Sequence, residues 1–333
     1  MCRLKQISMR LCDSISMGKA LIIMLLPGLV SFVSCSDDEP TRITNNYNYY
    51  YYNDSTSQND KSQDKQENTV IGSVPEGALK GVFSVSSTKK VYFSQGNLQY
   101  RASTNTWRFA DKQYDVIGAE NSKVSSTNSS WIDLFGFATS GYQGKNPYMS
   151  SSNYEDYGNG MNNISQTEYD WGVRNAISNG GNVAGKWYTM TVKEWEFILE
   201  KRPNAANLLS IAKVNGMQGL VILPDGWVLP QGVSFKPGLK DYYSLSENIY
   251  TVAEWTKMEE AGAVFLPCAG VRHGTNVSEV GTSGYYWQSD GVRVADGGRE
   301  VWFGNSYLNY NPGTAGDFGR ASGISVRLVT SVM

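Results

Sequence analysis

Gly323-Ile-Ser-Val-Arg-Leu-Val329 is the stretch on which the fold of this chain turns. Ile324, Val326 and Leu328 alternate with Ser325 and Arg327, the period-two pattern of a strand with one face against a core. On that pattern Arg327 points away from the core as a strand-face charge. Working backwards, Glu300-Val-Trp-Phe-Gly304 and Gly284-Tyr-Tyr-Trp-Gln-Ser289 read as two more strands, separated by polar, Gly-rich loops. Near the other end, Gly81-Val-Phe-Ser-Val-Ser86, Lys90-Val-Tyr-Phe-Ser94, Leu98-Gln-Tyr100 and Asn105-Thr-Trp-Arg-Phe109 read as an antiparallel meander, with Gln95-Gly-Asn97 as a turn. Between these strand-rich ends, residues 121–163 are dominated by Ser, Asn, Gly and Tyr around Trp131-Ile-Asp-Leu-Phe-Gly-Phe137, which predicts a long ordered loop.

Two helices carry start signals. Thr191-Val-Lys-Glu194 and Thr251-Val-Ala-Glu254 fit the capping box, in which the Thr hydroxyl and the Glu carboxylate satisfy each other's backbone donors. Each is followed at once by a tryptophan. Trp195, Ile198 and Leu199 share one face of the first helix, and Trp255, Met258 and Glu259 continue the pattern in the second, as core stripes. After each comes a similar apolar phrase, Gly219-Leu-Val-Ile-Leu-Pro-Asp-Gly-Trp227 and Gly262-Ala-Val-Phe-Leu-Pro-Cys-Ala-Gly270, which suggests two helix-to-strand units in one domain, though no repeat array. Strands at both ends with two helices between them make this an α+β chain.

The first 71 residues have a different texture. Arg3, Lys5, Arg10 and Lys19 precede the apolar run Leu21–Ser34, which ends at Cys35. That order reads as a lipoprotein signal peptide over residues 1–34, with Cys35 the lipidated residue. The run is too short to span a bilayer and is interrupted by Pro27 and Gly28, which disfavours a retained anchor helix. Met17 is an alternative start. Ser36-Asp-Asp-Glu39 resembles a sorting signal that carries some lipoproteins of anaerobic Gram-negative bacteria to the outer face of the outer membrane, so the expected localisation is outer membrane, facing outward. A plain solvated tether is the other reading of the same acids. Residues 35–71 form an acidic, Tyr/Asn/Ser-rich segment whose second half lacks apolar residues, which predicts a disordered tether. The Tyr-rich part, Thr41–Asn53, is either tether or a strand that docks on the domain, and under a structural role its segment Tyr47–Tyr52 would supply a strand to a partner.

Loss of residues 1–34 removes four basic residues and one acidic residue, taking the formal net charge from −2 to −5. With no basic patch, nucleic acid is not an expected partner. Only Cys35 and Cys268 would remain, so the domain at 72–333 has no internal disulfide and relies on its core, for which about 260 residues suffice. Cys268, in an apolar phrase, reads as a small buried hydrophobe.

Ile222-Leu-Pro-Asp-Gly-Trp227, Ala261-Gly-Ala-Val-Phe-Leu-Pro267, Gly284-Tyr-Tyr-Trp287 and the closing Gly323–Val329 phrase resemble the C-type-lectin-fold domains of bacterial surface lipoproteins. These are similar to formylglycine-generating-enzyme-like domains and to variable proteins diversified by retroelements. The resemblance covers roughly residues 76–330. Ile324 stands where an aromatic residue is common, and Gln288 where Ser is. The resemblance implies a C-type-lectin-like fold whose final strands and loops bind ligand. Here those segments supply Gln288, Ser289, Asp290 and Arg293, then Asn305, Tyr307, Asn309 and Tyr310, then Phe318, Arg320 and Ser322. Their Tyr, Ser, Asn, Gly and Arg content is that of antibody paratopes. Ordinary solvated loops, and for Arg320 a structural role near the terminal strand, are the competing readings.

Catalytic constellations are scarce. The single histidine, His273, excludes any site with two His ligands, and it reads as a loop residue. No Gly-x-Ser-x-Gly motif occurs. Formylglycine-generating chemistry needs a pair of reactive cysteines, and only Cys268 is available in that region. Paired acids such as Glu168 with Asp170, or Glu155 with Asp156, do not by spacing alone indicate glycoside hydrolysis. Asn153-Tyr-Glu-Asp156 offers oxygen ligands of the type calcium takes, but no diagnostic loop, so no cofactor is expected. The expected function is non-catalytic binding of a protein or glycan ligand, with the membrane contacted through the lipid anchor alone. A structural adhesin or accessory subunit of a surface assembly, and a degenerate formylglycine-generating-type enzyme, are the alternatives.

Overall fold

The computed structural model describes residues 21–26, 29–34, 73–158, 160, 162–238, 247–291, 297–304 and 318–333. The chain forms two units, residues 1–68 and 69–333. In the first, β1 (Leu21–Leu26) pairs antiparallel with β2 (Leu29–Ser34), Leu26 opposite Leu29. Cys35 and the Tyr-rich stretch lie outside the described residues. No helix among the described residues is long and apolar enough to cross a membrane.

The second unit contains β3 (Phe83–Ser84), β4 (Lys90–Phe93), β5 (Leu98–Arg101), β6 (Thr106–Phe109), β7 (Leu209–Val214), β8 (Met217–Ile222), β9 (Ile249–Tyr250), β10 (Val264–Pro267), β11 (Val271–His273), β12 (Asn276–Ser278), β13 (Ser283–Gly291), β14 (Gly297–Gly304), β15 (Phe318–Gly319), β16 (Ser322–Gly323) and β17 (Val329–Ser331). Its helices are α1 (Trp171–Arg174), α2 (Val192–Glu196), prolonged by a wider turn over Phe197–Lys201, and α3 (Val252–Glu260). The sheets are small and almost wholly antiparallel, with orders β10-β8-β7-β9, β12-β11-β16, β13-β14-β15, β17-β4-β3 and β5-β6. The one parallel pair among these strands is β7 with β9. The chain is thus α+β, as its pattern of strands and capped helices implies.

Both capping boxes form. Thr191 Oγ1 accepts from the Glu194 N–H while the Glu194 carboxylate accepts from Thr191 N, and Thr251 with Glu254 repeats this. Trp195, Ile198 and Leu199 are buried, as are Trp255 and Met258. Glu259 is half-buried and accepts a hydrogen bond from Gln113 Nε2. The two echoed apolar phrases pair with each other, Val264 opposite Ile222 and Pro267 opposite Gly219. Their alternation separates two cores: Leu220, Ile222, Val264 and Leu266 join the cluster holding Trp195, while Val221, Leu223 and Phe265 join that of Trp255 and Met258. Because both faces are covered, the strands read as continuous apolar runs. Each large side chain so buried contributes roughly 1.5–3 kcal/mol.

The expected meander divides into two hairpins. β4 pairs with β3 on one edge and β17 on the other, so β5 cannot continue that sheet and pairs with β6 alone. The span 121–163 is a long loop with short 3-10 turns at Tyr142–Gly144 and Tyr154–Asp156, as read from its composition. α1 carries no box and is not anticipated by the sequence pattern. Asp170 caps it, its Oδ1 accepting from Gly172 N.

The closing phrase forms regular strand only at its ends, β16 and β17, and in between it threads the interior. Ile324 exchanges two backbone hydrogen bonds with Phe135. Ser325 bridges Tyr285 and Trp287, Val326 O accepts from Leu98 N, Leu328 O from Ser94 N, and Val329 exchanges bonds with Tyr188. Ile324, Val326 and Leu328 share one buried cluster, so the alternation is real. The opposite face is not solvent, however, which corrects the expectation for Arg327. Its side chain is 1% exposed, and its guanidinium donates to Gln113 Oε1 at 2.7 Å, Asn97 Oδ1 at 3.3 Å and the Phe265 carbonyl at 3.4 Å. Burial lowers its pKa to about 10.

Candidate functional site

The C-terminal hairpin β13–β14 is the structural frame of the predicted binding residues. Its register places Tyr285 opposite Trp302, Tyr286 opposite Val301 and Trp287 opposite Glu300, with an irregularity between Trp287 and Gly291. One face stacks Tyr285 on Trp302 at 6.0 Å and 2°. Tyr286, on the other face, stacks on Phe303 at 5.9 Å, donates to the Pro267 carbonyl and accepts from Asn97 Nδ2. Trp287 donates to the Phe135 carbonyl at 2.6 Å and meets Phe137 edge-on. The hairpin is therefore anchored by aromatic packing on both faces.

Several predicted contact residues are placed inside rather than on the surface. Gln288 and Ser289 are 0% exposed, Arg320 is 4% and Ser322 is 5%. For these four, direct display to solvent is corrected. Arg320 donates to the carbonyls of Tyr157 and Gly160 and lies over the Tyr154 ring, pinning the long loop. Ser322 Oγ lies 3.3 Å from His273 Nδ1. His273 itself ends strand β11 rather than lying in a loop, and it is exposed. Asp290 is a clamp: Oδ2 accepts from Val192 N at the start of α2, and Oδ1 from Asn163 Nδ2. A carboxylate at a helix N-terminus is favoured by the exposed N–H groups there. Phe318 opens β15, paired with Gly298. Arg293, Asn305, Tyr307, Asn309 and Tyr310 lie outside the described residues.

Gln288 and Ser289 have a second property. Backbone groups of Ser289 are satisfied, its N–H by the Met190 carbonyl and its carbonyl by Ile164 N–H. The side chains are not: Gln288 Oε1 and Nε2 and Ser289 Oγ are buried without hydrogen-bond partners among the described residues. A buried amide in that condition costs about 1–3 kcal/mol, and the indole Nε1 atoms of Trp171, Trp195 and Trp255 are likewise buried without a partner among the described residues.

Cys268 is buried and its thiol is pushed up to about 12 by burial, which disfavours the thiolate at neutral pH. Asp133 and Asp170 are fully buried carboxyls pushed up to about 6 and about 7 by burial. Each is held by local donors, Asp133 by Asn121 Nδ2 and Ile117 N, Asp170 by Thr189 N, Thr189 Oγ1 and Gly172 N. In the Asn153–Asp156 turn, Asn153 Oδ1 accepts from Glu155 N and Asp156 accepts from the Ser151 hydroxyl. No group of three His, Cys, Asp or Glu side chains arranged for a metal occurs among the described residues. Sequence reasoning missed Asn163 and Met190, whose roles arise from contacts more than 95 positions away. Comparison with known proteins finds no family model, no curated relative and no solved structure that matches this chain.

Proposed function

We propose that this chain is a lipoprotein anchored through Cys35 to the outer membrane and facing outward, and that its second unit is a C-type-lectin-like domain that binds a protein or glycan ligand without chemistry. The supporting observation is the buried, unpartnered amide of Gln288 next to the unpartnered hydroxyl of Ser289, at the point where the β13–β14 hairpin leaves its aromatic anchor. The Tyr- and Asn-rich loop segment 305–310 supplies adaptable contacts of the paratope type.

Gln288→Leu separates this reading from a purely structural one. Removing an orphaned amide while keeping its volume should raise stability by about 1–2 kcal/mol in urea unfolding. The same change should abolish the binding of residues 35–333 to whichever neutral glycan or surface protein they capture on an array. Captured ligand retained at wild-type level by Gln288→Leu would sink the site. For the anchor, cells expressing the chain and fed an alkynyl fatty acid should label it, and Cys35→Ala should lose the label and the membrane association together. Labelling that survives Cys35→Ala would remove the lipoprotein reading.

A further inference from the structure

The outward face of the β5–β6 hairpin carries an arrangement that the binding role above does not use. Register pairs Gln99 with Arg108 and Arg101 with Thr106, so Arg101 and Arg108 are diagonal neighbours on one face. Both guanidinium groups stack on a single indole, Arg101 at 4.1 Å and Arg108 at 4.0 Å from the Trp131 ring. Trp131 is held there because the next residue, Ile132, exchanges backbone hydrogen bonds with Tyr100 on β5. Two like charges are thus fixed against one ring.

Their donors are largely unspent. Arg108 Nε donates to Gln99 Oε1 at 2.9 Å, but its Nη1 is 3.6 Å from Asp111 Oδ2, beyond hydrogen-bond length, and Asp111 is 69% exposed. Arg101 has no hydrogen-bond or ion-pair partner among the described residues, and its Nε is buried without one. The buried arginines Arg202, Arg272 and Arg327 each leave one nitrogen without a partner too, but their other donors are engaged: Arg202 reaches Asp225 and the Ile198 carbonyl, Arg272 reaches the Gly274 and Leu134 carbonyls, and Arg327 reaches Gln113. A guanidinium held by stacking, with its fork open, has already lost the rotamer freedom that binding an oxyanion would otherwise remove.

We propose that Arg101, Arg108 and Trp131 form a second binding site, which takes an oxyanion group of an acidic glycan in the open guanidinium forks. Asp111 beside Arg108, and Glu120 bonded to Ser130 and Lys123, flank the site and reduce its net positive charge. Planar carboxylates and tetrahedral sulfate esters both match the fork bidentately, so a uronic acid and a sulfated sugar share the chemistry. The site uses none of the residues at the β13–β14 hairpin, and the inference is independent of the role assigned there.

Calorimetric titration of residues 35–333 with polygalacturonate, with chondroitin sulfate and with neutral dextran tests it. Binding of polygalacturonate, chondroitin sulfate or both, weakening as sodium chloride rises and absent with dextran, is the expected result, and the arm that responds names the source. Arg101→Gln should weaken that binding by about tenfold, and Arg108→Gln comparably. Arg101→Lys should weaken it too, since an ammonium neither forks nor stacks equivalently. Gln288→Leu should leave it unchanged. Arg101 has no hydrogen-bond partner among the described residues to orphan, so its variants should lose only the stacking on Trp131 and shift the thermal midpoint by no more than about 2–4 °C. Silence with both anionic polymers, equal binding of dextran, or full affinity in Arg101→Gln and Arg101→Lys would each overturn the proposal.

Discussion

Arg327→Ala should lower the unfolding free energy by about 3–5 kcal/mol, the range for breaking a buried charged contact and leaving a cavity. The side chain is 1% exposed and donates to Gln113, Asn97 and the Phe265 carbonyl, linking the terminal segment to β10 and to the turn before β5. No carboxylate among the described residues lies within ion-pair distance of it. Glu259 is reached through Gln113, whose Nε2 donates to it at 2.9 Å. Arg327→Met, which keeps most of the volume and removes the buried charge, should lose less, about 1–2 kcal/mol, because it forfeits hydrogen bonds but also the desolvation of the guanidinium. Urea unfolding of both variants checks this. An alanine variant within about 1 kcal/mol of the parent would show that the network contributes little.

The second large effect concerns Asp170. Its carboxylate joins three donors, Gly172 N in α1 and Thr189 N and Oγ1 some 19 positions away, all at 0% exposure of Asp170 itself. Asp170→Ala orphans these donors and removes the cap of α1, an expected loss of about 3–5 kcal/mol. The pH dependence follows from burial, which pushes this carboxyl from 3.8 up to about 7 against the pull of its three donors. A carboxyl that holds its proton more tightly when folded adds stability that is complete below about pH 4. That contribution is lost as the pH rises through the window from about 4 to about 7. Over that window each such proton changes stability by about 1.4 kcal/mol per pH unit. Asp170→Asn cannot titrate and should unfold with a flatter pH profile than the parent between pH 4 and 7; Asp133, pushed up to about 6, leaves the remaining slope in the same direction. Parallel profiles for parent and Asp170→Asn would mean that the carboxylate stays ionised in the fold.

Local grammar made much of the scaffold readable. Both capping boxes form because the Thr and Glu that build them sit three residues apart, so no distant contact is needed. The apolar phrases become β8 and β10, and their alternation distributes side chains to two cores. The aromatic segments 284–289 and 300–304 form strands as read, and the fold pairs them with each other. The meander failed where an edge was already taken: nothing in β4 itself records that β17, more than 200 residues later, occupies the position β5 would fill.

The candidate site was legible by region and not by residue. Composition pointed to the C-terminal loops, yet Gln288, Ser289, Arg320 and Ser322 are interior, and Asp290 clamps α2 and Asn163. Whether a polar side chain faces water or a neighbouring loop depends on the path of residues 141–164 and 188–192, which no short-range pattern encodes. The Arg101–Trp131–Arg108 stack was hidden for the same reason, since its indole comes from a loop 23 positions beyond the strand pair's last arginine.

The closing phrase Gly323–Val329 shows the division most plainly. Sequence by itself determined that Ile324, Val326 and Leu328 lie on one buried face, because hydrophobic alternation at period two acts through the chain's own geometry. Only the tertiary structure decided that the other face is buried as well, with Arg327 held by Gln113, Asn97 and a strand carbonyl. A charged residue between apolar ones reads as solvent-facing until partners from distant parts of the chain satisfy its donors, and those partners are brought together by folding alone.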